Sequence, residues 1–259
     1  MKRWIVTACL LVFVGTCTLA SAQSPFVGKW KLDQAKSHLT GDTLKYSPAS
    51  DGMIRETAAV ESYTFKTDGH PYTTFFHDVA VWKHTGPSTW VVTYHRKGIL
   101  VDTDSMKVSP DGKTLTITST GTSPDGKPFH DVETYRRIVG TSGLMGTWKS
   151  EKLTSSTSRE VEFAANGPDG ITWILPDIKA KLDMKFDGKD YAPVGPTVPP
   201  GLTIAANRTG NDSFAIVEKM DGKPILKGIY TVSNDGKTLT EVSSPVSVNQ
   251  PETAVYMKE

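Results

Sequence analysis

The six residues Asp-Gly-Lys-Thr-Leu-Thr occupy positions 111–116 and occur again, unchanged, at positions 235–240. Three further pairs of similar stretches appear in the same order along the chain. They are 28–31 with 146–149 (Gly-x-Trp-Lys), 66–72 with 185–191 (Lys-x-Asp-Gly-x-x-Tyr), and 135–137 with 256–258 (Tyr followed by two more residues). Subtracting positions gives similar offsets, 118 from Trp30 to Trp148 and 124 from Asp111 to Asp235. Ordered matches at a nearly constant offset indicate a tandem duplication of one structural unit.

Each copy has the pattern of a β protein. Residues 114–118 alternate threonine with an apolar residue, so that Leu115 and Ile117 share one face of a strand. Asp-Gly pairs at 68–69, 111–112 and 125–126 lie between such runs and predict hairpin turns. Short strands joined by tight turns favour a barrel or a sandwich over other all-β folds. We therefore predict an all-β fold of two tandem antiparallel up-and-down β-barrels.

A β-propeller is the competing interpretation of the Ser-Pro-Asp-Gly-Lys stretches at 109–113 and 123–127. Propeller blades recur about every 40–50 residues. The two stretches begin at Ser109 and Ser123, which is too close for successive blades and fits neighbouring hairpins of one barrel.

The N-terminus resembles an export signal. Lys2 and Arg3 precede the apolar run 5–14, and Ala20-Ser21-Ala22 has the small-x-small pattern of a cleavage site. We predict a signal peptide at 1–22, a first barrel at 23–139, a linker at 140–143 and a second barrel at 144–259. Cleavage near Ala22 would leave a secreted or periplasmic protein. Both cysteines, Cys9 and Cys17, lie in the signal, so the remaining chain has no disulfide.

The balance of charge excludes some classes of partner. Without Lys2 and Arg3 the chain has 27 basic and 28 acidic residues, since the full sequence has 29 and 28. Nucleic-acid binding requires a basic face, and no basic cluster is present. After the predicted signal, no segment is apolar for long enough to predict a transmembrane helix.

The stretch 26–32, Phe-Val-Gly-Lys-Trp-Lys-Leu, resembles the first strand of the calycins, the group of lipocalins and fatty-acid-binding proteins. In that family a Gly-x-Trp tryptophan closes one end of the barrel, and the last strand supplies an arginine or a tyrosine beside it. The resemblance implies lipocalin-like barrels. It implies the following residues for the closed ends: Gly28, Trp30, Arg136, Arg137, Gly146 and Trp148.

Two departures from the family limit what the resemblance implies. Fatty-acid-binding proteins hold a ligand carboxylate with Arg-x-Tyr on the last strand, but here Glu133 precedes Tyr135 and Ala254 precedes Tyr256. Their two-helix lid after the first strand also has no counterpart. The resemblance therefore implies a barrel with a pocket and does not name its ligand.

Catalytic and metal-binding motifs are not evident, and we predict no enzyme, no catalytic residue and no cofactor. The chain has no Gly-x-Ser-x-Gly, no His-Glu-x-x-His and no phosphate-binding glycine loop. All six histidines fall in the first copy, and His77, His84 and His95 would form a metal site only if their strands were neighbours. Two carboxylate pairs, Asp102 with Asp104 and Asp131 with Glu133, each share a strand face, a pattern that is also common on solvated faces.

Aromatic residues are the strongest binding signal. Those we assign to a ligand site in the first barrel are Phe65, Phe76, Trp82, Trp90 and Tyr94. Packing of a filled core explains the same pattern. We predict a protein that binds a small apolar or amphipathic ligand. The alternatives are an interaction module with filled barrels, which would use the proline-rich loop 193–200, and a hydrolase without a recognised motif.

Overall fold

The computed structural model describes residues 24–156, 159–247 and 251–259. The predicted signal peptide, with Cys9, Cys17 and the cleavage site near Ala22, lies outside these ranges. Within them, no helix is both long and apolar enough to cross a membrane.

Strands and hairpins make up nearly all of the described chain, together with one short 3-10 turn at Ser50–Gly52. The strands up to the second Gly-x-Trp stretch are β1 (Gly28–Leu32), β2 (Thr43–Pro48), β3 (Ile54–Thr57), β4 (Ser62–Phe65), β5 (Asp68–Thr73), β6 (Val79–Gly86), β7 (Thr89–Arg96), β8 (Ile99–Val108), β9 (Thr114–Thr122), β10 (Pro128–Val139) and β11 (Gly146–Thr154). The strands after it are β12 (Glu160–Ala165), β13 (Gly170–Leu175), β14 (Ala180–Lys185), β15 (Asp187–Tyr191), β16 (Leu202–Arg208), β17 (Ser213–Met220), β18 (Lys223–Val232), β19 (Thr238–Pro245) and β20 (Glu252–Lys258).

The strands form two antiparallel sheets of ten strands, and each sheet curls into a nearly closed barrel. One sheet runs β4-β3-β2-β11-β10-β9-β8-β7-β6-β5 and is called the first barrel. The other runs β14-β13-β12-β1-β20-β19-β18-β17-β16-β15 and is called the second barrel. The prediction of two tandem antiparallel β-barrels is confirmed.

The first strand of each sequence copy belongs to the other copy's barrel. Strand β1 pairs with β12 and β20, with Trp30 opposite Val161 on one side and Lys258 on the other. Strand β11 pairs with β10 and β2. The first barrel is therefore one continuous segment, β2 to β11, whereas the second barrel needs the N-terminal strand to complete its sheet.

This pairing divides the chain differently from the predicted boundaries of 23–139 and 144–259. The predicted linker 140–143 lies in the connection between β10 and β11, inside the first barrel. That connection is short enough to keep the two strands as an antiparallel hairpin, which is the usual arrangement for neighbours in sequence. The chain passes between the barrels elsewhere, after Leu32 and again after Thr154.

The repeated turn sequences adopt the same hydrogen-bonded geometry. Ser109 Oγ donates to Asp111 Oδ1 over 2.6 Å, and Ser233 Oγ donates to Asp235 Oδ1 over the same distance. In each turn the serine Oγ also accepts the amide of the threonine five residues later, at 3.0 Å. Equal local sequences have therefore produced equal turns, as expected for duplicated units.

The Asp-Gly pair at 68–69 does not form the hairpin that we predicted, and neither does the equivalent pair at 187–188. Strands β4 and β5 are the two edges of the first sheet and β14 and β15 the two edges of the second, so neither pair is hydrogen-bonded as neighbours. The aspartates instead accept from tyrosines four residues later, Tyr72 at 2.9 Å and Tyr191 at 3.1 Å. These contacts shape the start of an edge strand, where the barrel is incompletely closed.

The two Gly-x-Trp stretches occupy equivalent places at one end of each barrel. Trp30 and Trp148 are fully buried, and each indole Nε1 donates to the carbonyl four residues earlier, at 2.8 and 2.9 Å. Gly28 and Gly146 have φ angles of +139° and +135°, which L side chains rarely adopt. A Cβ at Gly146 would also approach the Val139 carbonyl oxygen to 2.2 Å.

We predict that truncating each tryptophan loosens the barrel that it closes. Trp30→Ala removes a fully buried side chain from the second barrel, and a loss of about 3–5 kcal/mol of stability is usual for such a truncation. Hydrogen exchange should show lost protection in β12–β20, with β2–β11 unchanged. The matched variant Trp148→Ala should lower protection in β2–β11 and leave β12–β20 unchanged. Loss of protection in β2–β10 on Trp30→Ala would contradict the observed strand pairing.

Candidate functional site

The inner face of the first barrel changes character along its strands. On β8, Met106 and Val108 are buried in the apolar core at the tryptophan end. Because side chains two apart on a strand share a face, Asp102 and Asp104 continue the same inward row. They leave the apolar core and line an internal cavity instead. One end of the barrel is thus packed and the other is polar.

The polar end holds an open cavity of about 490 Å³, here called the chamber. Seven carboxyl residues line it: Glu56, Glu61, Asp78, Asp102, Asp104, Asp131 and Glu133. Two arginines and five aromatic residues share its wall: Arg96, Arg159, Tyr46, Phe76, Tyr94, Phe129 and Tyr135. The chamber therefore holds many more acidic than basic groups.

Hydroxyl groups hold the deeper carboxyls in place. Tyr135 donates to Glu133 Oε2 at 2.7 Å, and Ser150 donates to the other oxygen of the same carboxyl. Ser119 donates to Asp104 Oδ1 at 2.6 Å. Such neutral donors orient a carboxyl group without cancelling its charge. These hydrogen bonds therefore fix the carboxyls in place without giving them a positively charged partner.

Burial raises the pKa of several chamber carboxyls towards or above neutrality. Loss of hydration raises the pKa of Glu56 to about 8, and the nearby Glu61 adds to the shift. The same cause raises the pKa of Glu61 to about 7, of Asp102 to about 7 and of Asp104 to about 6, with neighbouring carboxylates contributing for Glu61 and Asp102. Burial also raises the pKa of Glu133. Near pH 7 several of these groups therefore hold a proton that a bound cation could replace.

Arg96 lies at the rim of the chamber and joins the two barrels. Its Nε and Nη2 donate to the two oxygens of buried Asp78 at 2.6 and 2.5 Å. Its Nη1 donates to the carbonyl of Thr197, at 2.5 Å, in the proline-rich loop of the second barrel. The charge of Arg96 is thus already matched by Asp78, and the loop 193–200 is held against the first barrel.

The second barrel differs at the equivalent positions. Asp104 of the first barrel corresponds to Gly228 of the second, because Asp104 lies opposite Ser119 and Gly228 lies opposite the equivalent Ser243. By the same strand register, Glu133 corresponds to Ala254. Aromatic rings pack much of the second interior, for example Tyr230 stacked on Phe214 with a centroid distance of 4.9 Å. A smaller cavity of about 220 Å³, with a mainly apolar lining that includes Glu218, lies beside them. The chamber is therefore a feature in which the two copies have diverged.

The structure separates the five predicted ligand residues into two groups. Phe76 and Tyr94 line the chamber. Phe65 and Trp82 are fully buried and stack on each other at 3.9 Å, and Trp90 is packed against His84. These three belong to the core at the tryptophan end, where core packing accounts for them.

Not all of the residues implied for the closed ends lie beside a tryptophan. Arg137 lies 3.9 Å above the Trp148 ring, and Lys258 Nζ lies 5.0 Å from the Trp30 ring, so each cation covers the tryptophan of its own barrel. Arg136 points away and pairs with the exposed Glu151 at 2.6 Å. Gly28 and Gly146 supply the backbone geometry described above.

The histidines are scattered. His77 contacts Asp221 of the second barrel at 2.9 Å, and His70 contacts Asp68 at 3.3 Å. Among the described residues, no group of three or more His, Cys, Asp or Glu side chains is arranged to hold a metal ion. By contrast, both carboxylate pairs noted in the sequence line the chamber, so their period-2 spacing was the signal that could have located the site.

We predict that Glu56→Gln stabilises the protein at high pH. The pKa of Glu56 is raised from 4.5 to about 8, so the neutral form supports the fold at low pH and its contribution is lost as pH rises through 8. Gln remains neutral, and the variant should be more stable than the parent at pH 9 by up to about 5 kcal/mol, with the difference shrinking towards pH 5. Urea unfolding at pH 5 and at pH 9 measures the free energy of unfolding of the parent and of the variant. Glu151→Gln, at an exposed position, should show no such trend; equal effects would remove the burial argument.

We predict that Arg96→Met is strongly destabilising, because it leaves the buried Asp78 carboxyl without its cation. Loss of one partner of a buried pair costs about 3–5 kcal/mol. Lys219→Met breaks the more exposed pair with Asp190, and such surface pairs contribute about 0–1 kcal/mol. Denaturant unfolding of both variants makes the comparison. A loss for Arg96→Met no larger than for Lys219→Met would show that Arg96 does not hold the rim.

Comparisons with known proteins leave the chain without a family. No protein-family model matches it, and no curated protein matches it. A crystal structure of a candidate outer membrane protein from Bacteroides fragilis aligns with 90% of this chain and 98% of its own, at 12% identity and a TM-score of 0.16. A TM-score this low shows neither a shared fold nor a shared function.

Proposed function

We propose that this protein is an exported, lipocalin-like binding protein whose first barrel holds a small organic cation. The observation that carries the proposal is the chamber of about 490 Å³ with seven carboxyl residues and two arginines in its wall. Its volume lies within the range of about 300–1,000 Å³ that is typical of small-molecule sites. Export is supported by the pattern of residues 1–22 and by the lack of cysteine after Cys17.

Charge balance favours a cation over the purely apolar ligand suggested by the aromatic content. Asp78 already neutralises Arg96, so only Arg159 faces the six remaining carboxyl residues. An ammonium group would give these carboxyls the positive partner that they lack. A bound ammonium group would offset the unfavourable burial of negative charge that raises their pKa, so the carboxyls would release protons when the ligand binds.

Aromatic side chains add to the fit. Tyr46, Tyr94 and Tyr135 line the same chamber as Asp104 and Glu133. Ring faces attract ammonium groups by about 0.5–2 kcal/mol, more where water is excluded. Carboxyls combined with aromatic rings suit an amine that carries an apolar group.

Hydrolysis by a carboxyl pair is the second candidate function. General acid–base catalysis needs one protonated and one ionised group at working pH. Glu56, with a pKa of about 8, and Asp104, with a pKa of about 6, have those properties near neutrality. We rank it second because hydrolysis also requires a set spacing of acid and base across the bond to be cleaved, whereas cation binding needs only the charge and volume of the chamber.

Calorimetric titration with phenethylamine tests the first candidate. Binding should be about tenfold tighter at pH 8.5 than at pH 6, since the carboxyls must release protons while the amine keeps its charge. Proton release is measured by repeating the titration in buffers of different ionisation enthalpy. Asp104→Asn should weaken binding about tenfold or more, whereas Asp51→Asn, in an exposed turn, should not.

The neutral phenethyl alcohol and the anion phenylpropionate serve as matched ligands. Binding of either as tightly as the amine would refute the cation proposal. Turnover of nitrophenyl glycosides or esters that Asp104→Asn abolishes would favour the hydrolase instead.

A further inference from the structure

A second cavity, of about 620 Å³, lies where the two barrels meet and is here called the vestibule. The first barrel contributes the start of β8, with Ile99, Leu100 and Val101. The second barrel contributes Ile178 and the proline-rich loop through Pro196. The vestibule therefore exists only because the second barrel is held against the mouth of the first.

The vestibule adjoins the chamber. Tyr94, Asp102 and Phe129 line both cavities, as do the paired side chains of Arg96 and Asp78. A molecule whose charged group lay among the chamber carboxyls could thus extend outward past Tyr94 and Phe129 without leaving the protein.

The wall of the vestibule exposes apolar side chains. Ile99, Leu100 and Ile178 are 48%, 49% and 38% exposed. Hairpin ends normally carry polar residues, and large apolar side chains left in water lose the stabilisation that burial provides. Their position on both sides of one cavity indicates an apolar occupant that covers them.

The charges of the vestibule set the polarity of that occupant. Arg96, Lys179, Asp78 and Asp102 are the charged residues that line it. Asp78 is paired with Arg96, and Asp102 lies where the vestibule meets the chamber, so Lys179 is the charge of the outer part. A second positive group in the vestibule would lie beside Lys179 and be repelled. The outer part of the ligand should therefore be uncharged.

From these contacts we propose that the ligand is a cationic amphiphile, an aliphatic monoamine whose ammonium group lies in the chamber and whose hydrocarbon tail lies in the vestibule between the barrels. This inference rests on the proposed function for the position of the ammonium group. It adds that the second barrel, through Ile178 and the proline-rich loop, forms part of the binding site.

A homologous series of n-alkylamines tests the proposal by titration calorimetry on the full chain below the micelle concentration. A fully buried methylene strengthens binding by about fourfold. With partial burial, each step of two carbons from butylamine to decylamine should tighten binding about fivefold to tenfold. Octylamine should bind at least tenfold more tightly than 1,8-diaminooctane, whose second ammonium would enter the vestibule.

Two matched substitutions test the role of the second barrel. Ile178→Asn should weaken decylamine binding about threefold to tenfold and leave butylamine binding unchanged. Ile229→Asn alters an isoleucine that is similarly exposed (49%) but does not line the vestibule, and it should change neither. Both positions are exposed, and thermal melting checks that each variant is folded.

The outcomes separate this inference from the proposed function. If butylamine binds but affinity does not depend on chain length, or if 1,8-diaminooctane binds more tightly than octylamine, the vestibule does not hold the tail. Either result would contradict this inference and leave the proposed cation site in the chamber unaffected. Equal binding of decanoate and decylamine, with no binding of butylamine, would overturn the cation chamber and support an apolar site at the vestibule.

Discussion

Hydrogen bonding of the N-terminal strand between β12 and β20 is the constraint on which the rest of the structure depends. Strand β1 carries the second barrel's tryptophan and fills the position next to β20 that β11 fills beside β10 in the first barrel. The last strand of the chain, β20, thus pairs with the first described strand, β1. A sheet without β1 would expose unpaired edges on β12 and β20, and such edges invite pairing with other chains.

This arrangement couples the two barrels more closely than a simple tandem array. The chain passes from the second barrel to the first after β1 and returns after β11. Contacts at the interface then hold the barrels together, including Arg96 with Thr197 and His77 with Asp221. The proline-rich loop, which suggested an exposed interaction surface, is partly used in this internal contact. Because the vestibule lies in the same interface, its shape depends on the topology of the whole chain.

The two barrels show how a duplicated unit can keep its frame and change its interior. Turns and tryptophan ends are nearly superimposable in their hydrogen bonds, since these elements maintain the strand order. Inward positions in the middle of the barrel have diverged instead. Where the second barrel has Gly228 and Ala254, the first has Asp104 and Glu133. The space beside Gly228 is taken by Ile216, which a Cβ at Gly228 would approach to 3.3 Å, whereas the carboxyls of the first barrel line an open chamber.

The sequence by itself determined the class of fold, the duplicated units and most hairpins, because period-2 alternation and turn residues act locally. It could not determine which barrel each Gly-x-Trp strand joins, since both stretches have the same pattern and the choice depends on contacts far apart in sequence. It also could not separate Phe76 and Tyr94, which line the chamber, from Phe65, Trp82 and Trp90, which pack the core. Asp102, Asp104, Asp131 and Glu133 have the spacing of any solvated strand face. Only the curvature of the nearly closed sheet turned that face inward and placed its carboxyls around a cavity.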